Sequence, residues 1–375
     1  MSGAFVPGLE LAQGFFAEHV EPILEGAYPQ LRYSAGLIGS GSEVLGFDTP
    51  MSVDHHWGPR AMLFLQPAEL AALGDEIREL LAQRLPPAYR GYSTHFTAPD
   101  ALDHGVQLLA PHRGGPINHR VEIDSIAGYF SSYLGMQVGE PITAADWLTF
   151  PAQKLRALGA GGVFRDQLGL GAVREQLTWY PDDVWMYLLG CLWTRVGQEE
   201  HFVGRTANVG DELGSGILAS RLVRDLMRIV FCLQRQYPPY PKWFGHAFAQ
   251  LPGARELLPV LSAAQHAQGF PEREAALCTA YEAVVALQRA AGLPIGGDGR
   301  TSGFWTRPFR VIHGEKIADA VFATIADPQL ATLARTRAIG GIDLLSDNTD
   351  LLEDPRLRPQ LRALYQVEGG CGRLE

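Results

Sequence analysis

Apolar and polar positions change their period along the chain, and that change predicts its architecture. Over residues 9–26, Leu9, Leu11, Ala12, Phe15, Phe16, Val20, Ile23 and Leu24 recur at helical spacing, which predicts an amphipathic helix packed on a sheet. Two short apolar runs, 35–38 and 61–65, are bounded by glycine, serine and proline and predict strands. Residues 67–83 return to the helical period and stop before Pro86 and Pro87. Residues 89–97 alternate bulky with polar side chains and read as a strand, with another short strand at 105–110. Across 119–124, Val121 and Ile123 point one way while Arg120, Glu122 and Asp124 point the other, the pattern of a half-buried strand.

From Ile126 onward helices dominate. One covers 126–134 and ends at Gly135. Thr143 with Asp146 reads as a capping pair for a helix that runs on to Leu158. Residues 163–166 read as a glycine-flanked turn, followed by a helix start at Gly171. Further helices are expected at 184–198, 220–236, 254–265, 272–291, 314–326 and 329–335. This order predicts an α+β chain: a mixed sheet with flanking helices over residues 1–145, then an all-helical domain over 146–375.

Composition narrows the function. The 375 residues are 46% hydrophobic and carry a formal net charge of −10, a poor match for nonspecific binding to nucleic acid or an anionic membrane. A small-molecule or protein acceptor suits it better. Cys191, Cys232, Cys278 and Cys371 are widely spaced with no metal-finger pattern, as expected of thiols in a reducing cytoplasm. No signal peptide or membrane-length apolar run is evident, so a cytoplasmic location is expected.

Candidate chemistry is concentrated between Leu37 and Arg60. Gly39-Ser40-Gly41-Ser42 follows the first strand, and its small residues let backbone N–H groups and the two hydroxyls approach an anionic oxygen closely. Asp54-His55-His56 then opens toward the second strand with oxygen and nitrogen ligands suited to a divalent cation. Phosphate cradle and metal holder together point to phosphoryl or nucleotidyl transfer. An ordinary turn between two strands is the plainer reading of the same glycines. A Rossmann turn is excluded by the missing third glycine and by Pro50, and a P-loop by the absence of Gly-Lys-Ser/Thr.

Gly39-Ser40, a gap of about a dozen residues and an acid opening a strand resemble the signature of the nucleotidyltransferase superfamily that includes polymerase beta and the aminoglycoside and minimal bacterial nucleotidyltransferases. The fuller string through Asp54-His-His-Trp-Gly-Pro-Arg60, with Tyr237-Pro-Pro-Tyr-Pro-Lys-Trp243, is similar to one bacterial family within it, catalogued as a domain of unknown function. That resemblance implies a nucleotidyltransferase-like fold and reaction, not a substrate. It implies Gly39, Ser40 and Ser42 as triphosphate contacts, Mg2+ or Mn2+ as cofactor, and ATP as donor to a small-molecule hydroxyl. Asp54 and His56 stand where the superfamily usually has two carboxylates on one strand face. Glu122 is the expected third metal carboxylate or acceptor base, with Asp124 second. Histidine in place of a carboxylate favours manganese or zinc over magnesium. It also leaves open a catalytically lapsed nucleotide-binding or partner-binding protein, or a protein-modifying enzyme.

In the helical half, Arg205 and Lys242 are candidate triphosphate contacts, because positive charge stabilises the pyrophosphate leaving group. Glu199, Glu200 and Asp211 read as hydrated helix ends, or as an acceptor base. Trp305 to Arg310 and Ala338 to Asp343 read as packing for the last helices or as walls of an acceptor pocket. His112, His246, His266 and His313 have no partner at metal spacing.

Overall fold

A computed structural model describes residues 5–102 and 105–366, and within it the α+β reading holds. The chain divides into two compact units. One runs up to Pro141 and adds Lys154–Thr178; the other comprises Ile142–Gln153 and the described chain from Trp179 onward. The single division expected near residue 145 therefore differs from the observed one, because residues 154–178 return to the first unit.

That return supplies a strand. The first unit is built on a four-stranded mixed sheet of β1 (Ser34–Leu37), β2 (Arg60–Phe64), β3 (Arg120–Asp124) and β4 (Gly162–Asp166), in the order β3-β2-β1-β4. β1 is antiparallel to β2 and to β4, whereas β2 and β3 run parallel, with Arg60 beside Arg120 and Met62 beside Glu122. The segment read as a glycine-flanked turn at 163–166 is thus β4. Its glycines misled the reading: Gly161, just before β4, has no room for a side chain, since a Cβ would collide with the Leu37 carbonyl oxygen. Close backbone approach, rather than a turn, is what glycine provides there.

Alternation along β2 and β3 gives the sheet two different faces. Ala61, Leu63 and Leu65, with Val121 and Ile123, join one apolar core with Leu11, Phe15, Phe16, Val20 and Leu24 of the N-terminal helix and Ile77 and Leu81 of the helix Pro67–Arg84. The N-terminal helix is Gly8–Phe15 and Glu21–Ala27, joined by a π-helical turn over Phe16–Val20. On the opposite face stand Arg60, Met62 and Phe64 next to Arg120, Glu122 and Asp124. Part of that face is covered by the helix Ile126–Leu134, whose Tyr129 ring meets Phe64 at 5.7 Å. The helix stops at left-handed Gly135, as its sequence predicts, and its start is capped by Ser125, which accepts the Gly128 N–H.

The strand expected at 89–97 is replaced by a tight hairpin, Ala88–Tyr89 with Tyr92–Ser93, turned by Arg90 and Gly91. The segment 105–110 contributes single bridges, Phe96 to Leu109 and Asp100 to Val106. Alternating side chains were present in both segments, but the left-handed turn at Arg90 and Gly91 reverses the chain too early for a long strand.

The second unit is helical. The capping pair is confirmed, with Thr143 and Asp146 closing the start of Ala144–Thr149. This helix ends at Phe150, before Pro151, and Ala152–Gly159 begins a new one. The apolar helix Asp182–Glu199 packs against Glu212–Leu233 and Gly314–Phe322, while Ala254–His266 pairs with Phe270–Ala290. Two short helices, Phe202–Asn208 and Pro241–Phe248, escaped the sequence reading. Asp211 caps the helix starting at Glu212, and Cys191 and Cys232 are buried free thiols. Cys371 lies outside the described residues. No helix of the described chain is long and apolar enough to cross a membrane.

Glu200 corrects one expectation: it is a buried carboxyl, not a hydrated helix end. Its two oxygens accept the backbone N–H groups of Ile312 at 2.6 Å and Gly314 at 3.0 Å. Burial outweighs those bonds and raises its pKa from 4.5 to about 8. Between those values the folded chain binds a proton that the unfolded chain has released, so stability is expected to fall as pH rises from 4.5 toward 8. Urea unfolding across that range should show this decline, and Glu200→Gln should flatten it.

Candidate functional site

The Gly39–Ser42 turn is held by a buried ion pair. Arg60, first residue of β2, pairs with Glu43 at 2.6 Å, and both side chains are almost fully enclosed. The same guanidinium donates to the Ser40 carbonyl oxygen at 2.9 Å, pinning the turn to the strand. Glycine is required at two points. Gly39 has φ +84° and its Cβ would collide with the Tyr129 hydroxyl; at Gly41, with φ +148°, a Cβ would stand 2.6 Å from the Arg60 guanidinium. The Gly39 N–H donates to the Ala157 carbonyl, and the exposed Ser40 hydroxyl lies 3.3 Å from the Tyr133 hydroxyl. Ser42 is half-buried, its carbonyl accepting the Phe47 N–H.

Asp54 and His56 do not occupy a strand. They lie in the turn before β2, which begins only at Arg60, and His56 has φ +56°. The alternation expected to align their side chains therefore does not apply. Proline at position 59 and glycine at 58 delay the strand, and His56 is tied elsewhere: its N–H donates to the Gln107 carbonyl and its Nδ1 accepts from the Arg120 guanidinium. Burial, then the charges of Arg120 and Arg60, push the His56 pKa below 6.5, so the ring is neutral. Asp54 is exposed and pairs with His55 at 3.1 Å.

Glu122 does project from β3, as the alternation predicts. It is half exposed and accepts from Arg120 at 2.9 Å. A cleft of about 350 Å³ follows this edge strand, with Met62, Gln107, Arg120, Glu122, Asp124 and Tyr129 in its wall. Desolvation raises the Tyr129 phenol well above its usual pKa, and the carboxylates of Glu122 and Asp124 add to the shift. Among the residues that line this cleft, Ser40 and Asp54 do not appear. No three His, Cys, Asp or Glu side chains are gathered to hold a metal ion among the described residues. Asp54, His56 and Glu122 are thus engaged with His55 and Arg120, and do not form the expected cation cradle as folded.

Arg205 and Lys242 belong to the second unit. Arg205 is exposed and lies over Phe202 at 5.4 Å; Lys242 is exposed and lies over Trp243 at 5.1 Å. Arg60, Arg120, Gln107 and Tyr129 are the site residues that the sequence reading did not assign. Arg120 was the most legible, since strand alternation already put it beside Glu122. Arg60 sat in the Trp-Gly-Pro-Arg string, but nothing local identified Glu43 as its partner.

Comparison with known proteins adds a family match and similarity to solved structures. Residues 147–244 match the model of a domain of unknown function (DUF4037), a span that includes β4 and the helices Asp182–Glu199 and Glu212–Leu233. No functionally curated protein matches the sequence. The chain also aligns with the crystal structure of a nucleotidyltransferase-like protein from Exiguobacterium sibiricum 255-15. That alignment has 11% identity, covers 73% of this chain and 74% of that one, and has a TM-score of 0.28.

The Arg60–Glu43 pair carries a direct test. Leaving one member buried without the other costs about 3–5 kcal/mol, so Glu43→Ala should lower unfolding stability by that order in urea titrations. Asp54→Asn, in an exposed turn, should change it by less than about 0.5 kcal/mol.

Proposed function

We propose that the chain is a nucleotidyltransferase that moves a nucleoside monophosphate, AMP from ATP, onto a hydroxyl of a small-molecule acceptor. The observation that carries this reading is the arrangement on the sheet: a pinned glycine and serine turn leaves β1, and β3, on the far side of β2, presents Glu122 and Asp124 along an open cleft. Ser40 and Ser42 supply hydroxyls of the kind that hold phosphate oxygens. The acceptor hydroxyl attacks the α-phosphorus, its new P–O bond forms as the bond to the β-phosphate oxygen breaks, and pyrophosphate departs. The hydroxyl proton passes to a carboxylate, for which Glu122 is the candidate and Asp124 the second. Mg2+ or Mn2+ supplies charge stabilisation in reactions of this class. In this chain Asp54, His56 and Glu122 are the groups nearest in kind to its ligands, but they do not fit it as folded, so each step is assigned to protein groups alone. The net charge of −10 favours an acceptor other than nucleic acid.

One observation favours a second reading, a nucleotide-binding regulatory protein without turnover: the Arg120 guanidinium already engages both Glu122 and His56. Calorimetry with ATP and Mn2+, coupled to pyrophosphate release over a panel of hydroxyl acceptors, separates the two. Transfer predicts acceptor-dependent release that falls at least about 100-fold in Glu122→Gln. ATP binding with no release over the panel supports the regulatory reading, and absence of ATP binding removes both.

A further inference from the structure

The second unit contains a cavity that the nucleotide reading does not use. Its inner chamber, about 80 Å³, has Trp147, Phe150, Trp179 and Tyr180 in the wall together with Leu188 and Leu192. These rings are locked against each other, Trp147 to Tyr180 at 5.7 Å and Trp179 to Tyr180 at 4.9 Å, so the wall is stiff as well as apolar. A wider outer chamber of about 320 Å³ adjoins it through Arg228, Pro238 and Asp343, which line both.

Both signs of charge stand at that junction. Arg224, in the outer wall, pairs with Asp347. Arg228 reaches Asp347 only at 3.4 Å and the buried Asp225 only at 3.6 Å, long contacts for a guanidinium enclosed to this degree. One oxygen of Asp343 accepts the Ala152 N–H at 3.0 Å. Groups of one sign alone would suit a simple anion or a simple cation. Two arginines and two aspartates at the mouth of an aromatic chamber suit a ligand with both charges close together and an apolar body behind them.

We infer that this cavity binds a small zwitterion with an apolar side chain, the chemistry of a free α-amino acid. Its carboxylate meets Arg228 and Arg224, its ammonium meets Asp347 and Asp343, and its side chain enters the aromatic chamber. The exposed Arg224–Asp347 pair is of the kind that contributes little to stability, so exchanging it for ligand contacts is not costly. This site is independent of the nucleotide reading, since every residue named belongs to the second unit.

The test is a fluorescence titration of the full chain, because Trp147 and Trp179 line the chamber. The probes are L-phenylalanine, L-leucine, 3-phenylpropanoate, which lacks the ammonium, and phenethylamine, which lacks the carboxylate. Saturable binding of either amino acid is expected, with each truncated probe at least tenfold weaker than L-phenylalanine where that amino acid binds. Arg228→Gln should weaken amino-acid binding at least tenfold, and Ala152→Leu, which places bulk in the chamber wall, should do so without replacing a charged side chain. Circular dichroism confirms that each variant is folded. No saturable signal from any probe overturns the inference. So does equal binding of 3-phenylpropanoate and L-phenylalanine, or amino-acid binding unchanged in a folded Ala152→Leu.

Discussion

The first unit depends on one buried ion pair. Arg60 and Glu43 sit in a region that excludes water, where a charge without its partner is strongly unfavourable, so the two side chains hold the backbone segments that carry them. Glu43 ends the glycine and serine turn after β1, and Arg60 begins β2. Because Arg60 also binds the Ser40 carbonyl, the pair fixes the turn's conformation as well as its position. The collision of a Cβ at Gly41 with that same guanidinium explains why the turn has glycine there. Turn geometry and the presentation of Ser40 thus depend on one electrostatic contact.

The adjoining strand on the same sheet face is organised by a second arginine, Arg120, the cross-strand neighbour of Arg60. Arg120 links His56 of the turn to Glu122 of β3, and its charge is part of the reason that the imidazole is neutral. Arg120 holds one oxygen of Glu122, so a ligand that takes that oxygen displaces the guanidinium. That requirement bears on chemistry: phosphate oxygens could take over the guanidinium and release the carboxylate, whereas a small cation alone would compete with a charge already in place.

How far the sequence disclosed this depends on the range of the interaction concerned. β1, β2 and β3 were legible because apolar runs and alternation are local, and so were the helix stop at Gly135 and the cap at Thr143. The same alternation placed Glu122 on the polar face of β3. β4 was missed because its partner lies more than a hundred residues earlier and its glycines imitate a turn. The error at Asp54 and His56 has a related origin: the motif spacing suggested a strand, but Gly58 and Pro59 defer it to Arg60, and His56 is held by contacts with Gln107 and Arg120. Glu200 looked like a helix end in sequence and is buried because the backbone at Ile312 and Gly314 closes over it.

The central claim is that the pinned turn after β1 receives the phosphates of a nucleotide. Hydrogen exchange of the full chain, followed by mass spectrometry with and without ATP, reads that segment directly. The account predicts slower exchange over residues 39–43 on adding ATP, together with altered exchange over 120–124. Saturating ATP that leaves residues 39–43 unchanged, while protecting amides elsewhere, would contradict it.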